Sequence, residues 1–561
     1  MTGRTAALGA VALVGVCAVG AARGSAATTS PIQFTVPVAL SGAAGGTEPR
    51  VAVAPDGSVY AVSAADTISS APSVPLTVYS SHDHGASWAP TRGAPATISP
   101  TADVDIVTTR TGRVVVAELD SGGLNVVVSY SDDGGVTWNL SSGAARLVDQ
   151  DRPWLAVGPD DPGTHQPRVY LLYHDLFGGN ATQNMWVETS SDAGATFGAP
   201  VPLTSPGGDA FLDLQCGAST GPSNLAVDQR TGRLYAFWGT RHGPLGGCGN
   251  TPPQPTTIVA QNRLWVATSP DNSVGSWTDS LAVDDAGTGR LVGMQLAPGA
   301  VDGAGNVDVV YPEAPQGFPD FSGAAIRVRQ APADLSTWSP PITIAAASQP
   351  GNVLAHIVAG DAGKFDVAYF AGRIPGPGLA PRWYMTVAQV LNGLAPVPTV
   401  TTQQVSAVPA YAGTASDLMG WCDANAQQTG APCNRSSDVW GVALDSACRL
   451  IVSWPSLSAT TDPTLGASVD ATWVSAQSGG TPVCGAASAG SVGSSVPGSG
   501  SAANGLSNTS PGGDGMSAAA TVAAGLLVMS GVGARSGRRG RSATRVRPAA
   551  PQRGIAMAPL S

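Results

Sequence analysis

Only 12% of this 561-residue chain is charged, so the side chains able to do ionic or acid–base chemistry are few and can be followed one by one. The carboxylates Glu48, Asp66, Asp103, Asp105, Asp120, Asp175, Glu313 and Asp438 stand at the ends of short apolar runs. Arg50, Arg152, Arg241, Arg373, His174, His242 and His356 stand at similar places, with Trp154, Trp440 and Asn224 among them. Carboxylates, guanidinium groups and aromatics gathered around one concavity would suit a carbohydrate or a cation. Segment ends are solvated in any case, so polar residues also gather there without a site. On sequence alone both readings stand.

Other chemistries find less support. Six histidines are too few to make a His-based metal centre a good expectation, and no Cys-x-x-Cys pair offers a zinc site. There is no Gly-rich phosphate loop and no Gly-x-Ser-x-Gly elbow. Asp160-Asp161-Pro162-Gly163 and Asp284-Asp285-Ala286-Gly287 read as turns. Calcium is the one ion such loops would take, but it needs several converging carboxylates that the sequence does not point to. No cofactor is expected.

The elements that must position these residues are marked by a recurring pattern, Ser-x-Asp-x-Gly-x-Thr/Ser-aromatic. It runs from Ser81 to Trp88, from Ser131 to Trp138 and from Ser190 to Phe197, with a stretched copy from Ser269 through Asp271 to Trp277. Each clean copy follows an apolar or alternating run such as Val126 to Tyr130, which reads as a strand. Asp and Gly then suit a tight hairpin turn, the Asp accepting from backbone N–H groups and the Gly tolerating positive φ. Asp83, Asp133, Asp192 and Asp271 are therefore read as structural. A second repeat precedes each box: two short strands joined by a Gly or Asp turn. Its copies begin near Val51, Ile106, Leu155, Leu225, Ala300, Ile357 and Val442. Seven units at an irregular period of about 50–85 residues are what the repeat rules read as propeller blades. The strand Phe34 to Leu40 is placed to complete the last blade and remove an open edge. The expected fold is an all-β, seven-bladed propeller of four-stranded antiparallel blades, closed by its N-terminal strand.

The boxes resemble the Asp-box (BNR) repeat of sialidase-like β-propellers, a resemblance covering about residues 31–484. Sialidases themselves have six blades, and the count here falls to six if one unit is an insertion. The resemblance implies that the boxes lie away from the catalytic face. In a propeller, inner-strand starts and second-strand ends open on one mouth, where the residues named above would meet. Sialidases clamp a substrate carboxylate with three arginines and use a Tyr nucleophile activated by Glu, with an Asp as acid/base. Carried over, this implies Arg50, Arg241 and Arg373 as the clamp. It implies Tyr411 as nucleophile, Glu313 as its partner, and Asp66 or Asp103 as acid/base. In Glu48-Pro49-Arg50 the Pro precedes the Arg, unlike the family's order. Arg152, Trp154 and His356 would add contacts to substrate. Because a fold does not establish an activity, the expectation is a non-catalytic module that recognises a glycan or a glycoprotein through the channel mouth. The alternative is an exo-acting glycoside hydrolase of sialidase type.

Composition and termini set the surroundings. The net charge of −10 argues against nucleic acid as a partner. Arg4 followed by the apolar run Ala6 to Ala22 reads as a secretory signal over residues 1–27. Six cysteines follow it, and an even count in an exported chain implies disulfides. Six cysteines allow fifteen connectivities that sequence alone does not separate; pairing of neighbours would give Cys216–Cys248, Cys422–Cys433 and Cys448–Cys484. Residues 485–515 read as a Gly/Ser-rich linker and 516–534 as a membrane span, and 535–561 form an Arg-rich tail that the positive-inside rule assigns to the cytoplasm. The expected setting is the outer face of the cell membrane, with the chain a monomer.

Overall fold

A computed structural model describes residues 31–40, 47–64, 76–95, 101–120, 125–145, 150–175, 184–214, 221–240, 242, 261–270, 274–293, 296–315, 322–413, 415–418, 440–456 and 471–485. The chain divides into two units, Met1–Val496 and Pro497–Ser561, and all the described residues lie in the first. The expected signal, membrane span and tail therefore lie outside the described residues, as do Asp66, Arg241, Asp271, Asp438, Cys216, Cys248, Cys422 and Cys433. Among the described residues no helix is long and apolar enough to cross a membrane.

The first unit is a seven-bladed propeller. Its inner strands are Thr47–Val53, Thr101–Thr108, Gln150–Asp160, Pro222–Val227, Gly299–Val301, Asn352–Ala359 and Val442–Leu444. Each opens an antiparallel sheet of four or five strands, and blades 1 to 6 are continuous in sequence. The seventh is not: its third strand, Ala471–Gly479, pairs with Gln33–Phe34 and Val38–Ala39 from the N-terminus. The second strands explain the apolar runs in the sequence. Val59–Ala64 and Leu234–Thr240 are buried at every position, because neighbouring blades cover both faces of each sheet. The core is accordingly divided into seven clusters, each dominated by one blade–blade interface. Tyr60 and Val62 of blade 1 pack with Ile106 and Val116 of blade 2, for example.

The Asp boxes sit at the turns between third and fourth strands. In all three, the Ser hydroxyl donates to the Asp, the Gly N–H donates to the Ser, and the Ser or Thr four residues on donates to the Asp by both N–H and O–H. These donors, led by Ser87 at Asp83 and Thr137 at Asp133, hold both carboxyls at about 2. The boxes also join blades. Gly93 of blade 1 donates to Gly135 O in the second box at 2.8 Å, and Ser142 of blade 2 donates to Ala195 O in the third at 3.0 Å. Gly135 has φ +89°, and a Cβ there would lie 2.6 Å from Thr91 of blade 1. Glycine thus serves both the turn and the interface.

A disulfide joins Cys448, in the first turn of blade 7, to Cys484, just past its third strand, with Cα atoms 5.6 Å apart. This is the pairing expected for these two cysteines.

Candidate functional site

The channel is lined by residues from all seven inner strands or the positions just before them, and encloses a cavity of about 330 Å³. At its mouth five inner strands share a β-bulge, between Thr47 and Arg50, Thr101 and Val104, Asp151 and Trp154, Pro222 and Asn224, and Val353 and His356. Within three of these bulges a non-glycine residue takes positive φ: Glu48 (52°), Arg152 (53°) and Leu354 (52°). Such backbone costs of order 1–3 kcal/mol per residue and gathers where side chains must be aimed. The next residue but one, Arg50, Val104, Trp154 and His356, faces the channel or its rim. Asn224, Pro298 and the Trp440–Gly441 pair complete this level in blades 4, 5 and 7.

Most polar groups at this level are spent on holding blades together. Arg50 donates from Nε to Asp105 Oδ1 at 3.0 Å and from Nη1 to Trp440 O at 3.0 Å, and its guanidinium lies 4.2 Å from the Trp154 ring centre. Asp105 in turn accepts from Leu155 N–H at 2.7 Å. Trp154 Nε1 donates to Pro222 O at 2.8 Å. Asn224 donates to Gly299 O and accepts from Gly299 N–H. His356 packs on Trp440, with ring centres 5.1 Å apart. Burial, reinforced by the Arg50 charge, pushes the His356 imidazole well below its usual range, so it is neutral at physiological pH.

Above this level, on the rim of blades 1 to 3, Glu48, Asp103, Asp151, Arg152 and His174 converge. Burial pushes the Asp103 carboxyl well above the usual range, and Glu48 and Asp151 add to this against the opposing charge of Arg152. Burial also works on Asp151, but the hydrogen bond and charge of His174, then Arg152 and a hydrogen bond with Asp103, outweigh it and hold Asp151 low. His174 Nε2 lies 3.2 Å from Asp151 Oδ2. Neighbouring carboxyls are thus pushed in opposite directions, Asp103 toward its protonated, donating form and Asp151 toward its ionised, accepting form.

The other residues marked out by sequence are placed apart from the channel cavity. Glu313 ends the second strand of blade 5, 3.1 Å from Arg327 and 3.6 Å from Arg290. Tyr411 is buried at the outer edge of blade 6, opposite Trp383, in an apolar cluster that also takes Ala314. Arg373 is exposed at the end of a second strand, with its guanidinium 4.9 Å from the Tyr384 ring centre. None of the three lines the cavity. Among the described residues no group of three or more His, Cys, Asp or Glu is arranged to hold a metal ion. Asp161 and Asp284 spend their carboxylates on Arg168 and Arg263.

Two polar residues escaped the sequence reading. Asp151 sits beside the bulge, and its only sequence signal is its place before Arg152-Pro153-Trp154, which parallels Glu48-Pro49-Arg50. Asp213, in the short helix Asp209–Leu214, accepts from Arg263 and Trp265 and lies 2.6 Å from His242 Nδ1. Nothing in local spacing ties it to a histidine 29 residues away.

Residues 46–317 match the family described as BNR repeat-like domain, from the start of blade 1 to just past the second strand of blade 5. The chain therefore carries a BNR repeat-like domain within a seven-bladed propeller. No curated protein matches the sequence. Solved structures with a similar course of chain include the α-L-arabinofuranosidase Arb93A of Fusarium graminearum, at 14% identity over 68% of this chain and 99% of that one, TM-score 0.38. An ulvan lyase of polysaccharide lyase family PL25 has 9% identity over 80% and 94%, TM-score 0.47. YCF48 bound to D1 peptide has 10% identity over 80% and 96%, TM-score 0.40. These likenesses assign no activity to this chain.

Proposed function

We propose that this propeller recognises a glycan, free or on a glycoprotein, through its channel mouth without cleaving glycosidic bonds. The observation that carries this is the state of Arg50. A carboxylate clamp needs a guanidinium with its fork free, and that of Arg50 is spent on Asp105, Trp440 O and the face of Trp154. The rim favours a polyhydroxyl ligand, since Asp103, pushed toward its protonated form, beside Asp151, held toward its ionised form, offers both a donor and an acceptor to hydroxyl groups. The export signal and C-terminal anchor expected from sequence would place such a module at the outer face of the cell membrane.

The test applies the full-length protein to a glycan array and to a fluorogenic sialoside, with Tyr411→Phe as control. Retention of glycans without turnover is expected. Turnover that disappears in Tyr411→Phe would establish the hydrolase instead, and failure to retain any glycan would reject recognition at the mouth.

A further inference from the structure

The channel level just below the rim is built so that nearly every polar group has a protein partner. Arg50, Asp105, Trp154 and Asn224 are committed as described above. His356 differs. The residue is 4% exposed, its side chain lines the cavity, and it has no hydrogen-bond partner among the described residues, only the ring contact with Trp440. A buried imidazole facing a cavity without a protein partner is costly unless something in that cavity completes it. The cavity is large enough to supply it. At ~30 Å³ per water it would hold about ten waters, or one sugar ring and a few waters.

The charge at this level decides what kind of ring. Arg50 and Asp105 cancel each other, and His356 is neutral. A carboxylate brought here would enter a low-dielectric channel where the one guanidinium, Arg50, is already held by Asp105 and Trp440 O, beneath a rim where Glu48 and Asp151 stand beside Arg152 and His174. A hydroxyl meets no such barrier. It can donate to the unprotonated nitrogen of His356 and accept from the protonated one.

Resting on the reading of the mouth as a glycan site, we propose that the upper channel takes one neutral sugar ring, the terminal residue of the glycan, with His356 as its hydrogen-bonding anchor. An acidic sugar is excluded. His356 is therefore a specificity-determining residue, and the selection is opposite to that of an arginine-clamped sialoside site.

The test uses the full-length protein labelled at histidine Cε1, in which six histidines give a resolvable NMR spectrum. The probes are the methyl glycosides of galactose, glucose, mannose and xylose, against N-acetylneuraminic acid and glucuronic acid. The His356 resonance is identified by its loss in His356→Phe, which keeps a ring against Trp440. At least one neutral glycoside should shift that resonance saturably, and neither acid should. On the array, His356→Phe should lose tenfold or more in affinity for the same glycans, with His356→Gln partly restoring it. Tighter binding of an acid than of any neutral glycoside would overturn the inference, as would a His356 resonance that no probe moves. Glycan retention unchanged in His356→Phe would also overturn it, while leaving recognition at the rim intact. Absence of any glycan retention would instead strike at the mouth itself.

Discussion

Asp308 and Asp366 occupy equivalent places on the second strands of blades 5 and 6, each opposite a glutamine of the third strand. Gln330 and Gln389 donate to one oxygen of each, and the other oxygen has no partner among the described residues. Burial raises Asp308 to about 8 and Asp366 to about 7. In the unfolded chain a carboxyl titrates near 3.9. Below that pH both states keep the proton. Between there and the raised values the folded state keeps a proton that the unfolded state has released, so stability falls as pH rises, by up to about 1.4 kcal/mol per pH unit for each group. The box carboxyls Asp83 and Asp133, held low, act in the opposite sense: their stabilisation is present above their unfolded value and lost as pH falls toward 2. Asp308→Asn and Asp366→Asn should therefore lose less stability than the parent protein between pH 5 and pH 9. Urea unfolding midpoints across that range check this, and profiles parallel to the parent's would contradict it.

At the scale of the element, the repeated bulge at the start of the inner strand is the device that builds the mouth. It inserts residues into the ladder, turns Glu48 and Arg152 into positive φ, and sends Arg50, Trp154 and His356 toward the channel or its rim. Arg50 then braces blades 1, 2 and 7 through Asp105 and Trp440 O. Both side chains of that ion pair are largely buried, so removing either strands the other. Arg50→Ala and Asp105→Ala should each cost about 3 kcal/mol. The double variant should cost less than their sum by about 1–3 kcal/mol, because the second substitution removes a charge already unpaired. Chemical denaturation of the four proteins measures that coupling. Strictly additive costs would show that the two residues do not act as a pair.

For the whole molecule, the decisive step is closure of the ring. Seven interface clusters form a closed circuit only if blade 7 meets blade 1, and there the chain must join residues from its two ends. Gln33 lies opposite Gly479 and Val38 opposite Val474. Gly441 allows the approach, since a Cβ there would lie 2.5 Å from Val51 N. The Cys448–Cys484 bond pins the closing blade across a separation of 36 residues. Loop-closure entropy for that span is about 4 kcal/mol, part of which strain or residual unfolded structure would cancel. Cys448→Ser should lower the thermal midpoint by several degrees. It should leave glycan retention unchanged, because this turn lies on the face away from the mouth. Loss of retention at temperatures well below the midpoint would show that closure also shapes the site.

The local sequence determined the blades. Three boxes and seven strand–turn–strand units are short-range patterns whose turn chemistry and alternation act within a dozen residues, so the all-β fold, the seven blades and the N-terminal closing strand were all legible there. So was the Cys448–Cys484 pairing, from proximity along the chain. What each charged residue does was not. Glu48, Arg50, Asp103, Arg152 and His174 were expected at one mouth, but their partners were not legible: those of Arg50 come from blades 2 and 7, 55 and 390 residues away, and His174 meets Asp151 of the adjoining strand. Arg50 read as a clamp because its position fits one. It is a brace because Asp105 of blade 2 and Trp440 of blade 7 arrive beside it only when the ring closes. Tyr411 and Glu313 looked like a pair because both residue types suit the chemistry, but side-chain direction places one in an apolar cluster and the other beside Arg327 and Arg290. Periodicity is encoded locally and can be read from the chain. Protonation, pairing and exposure depend on what the closed propeller brings within a few ångströms, and only the tertiary structure decides that.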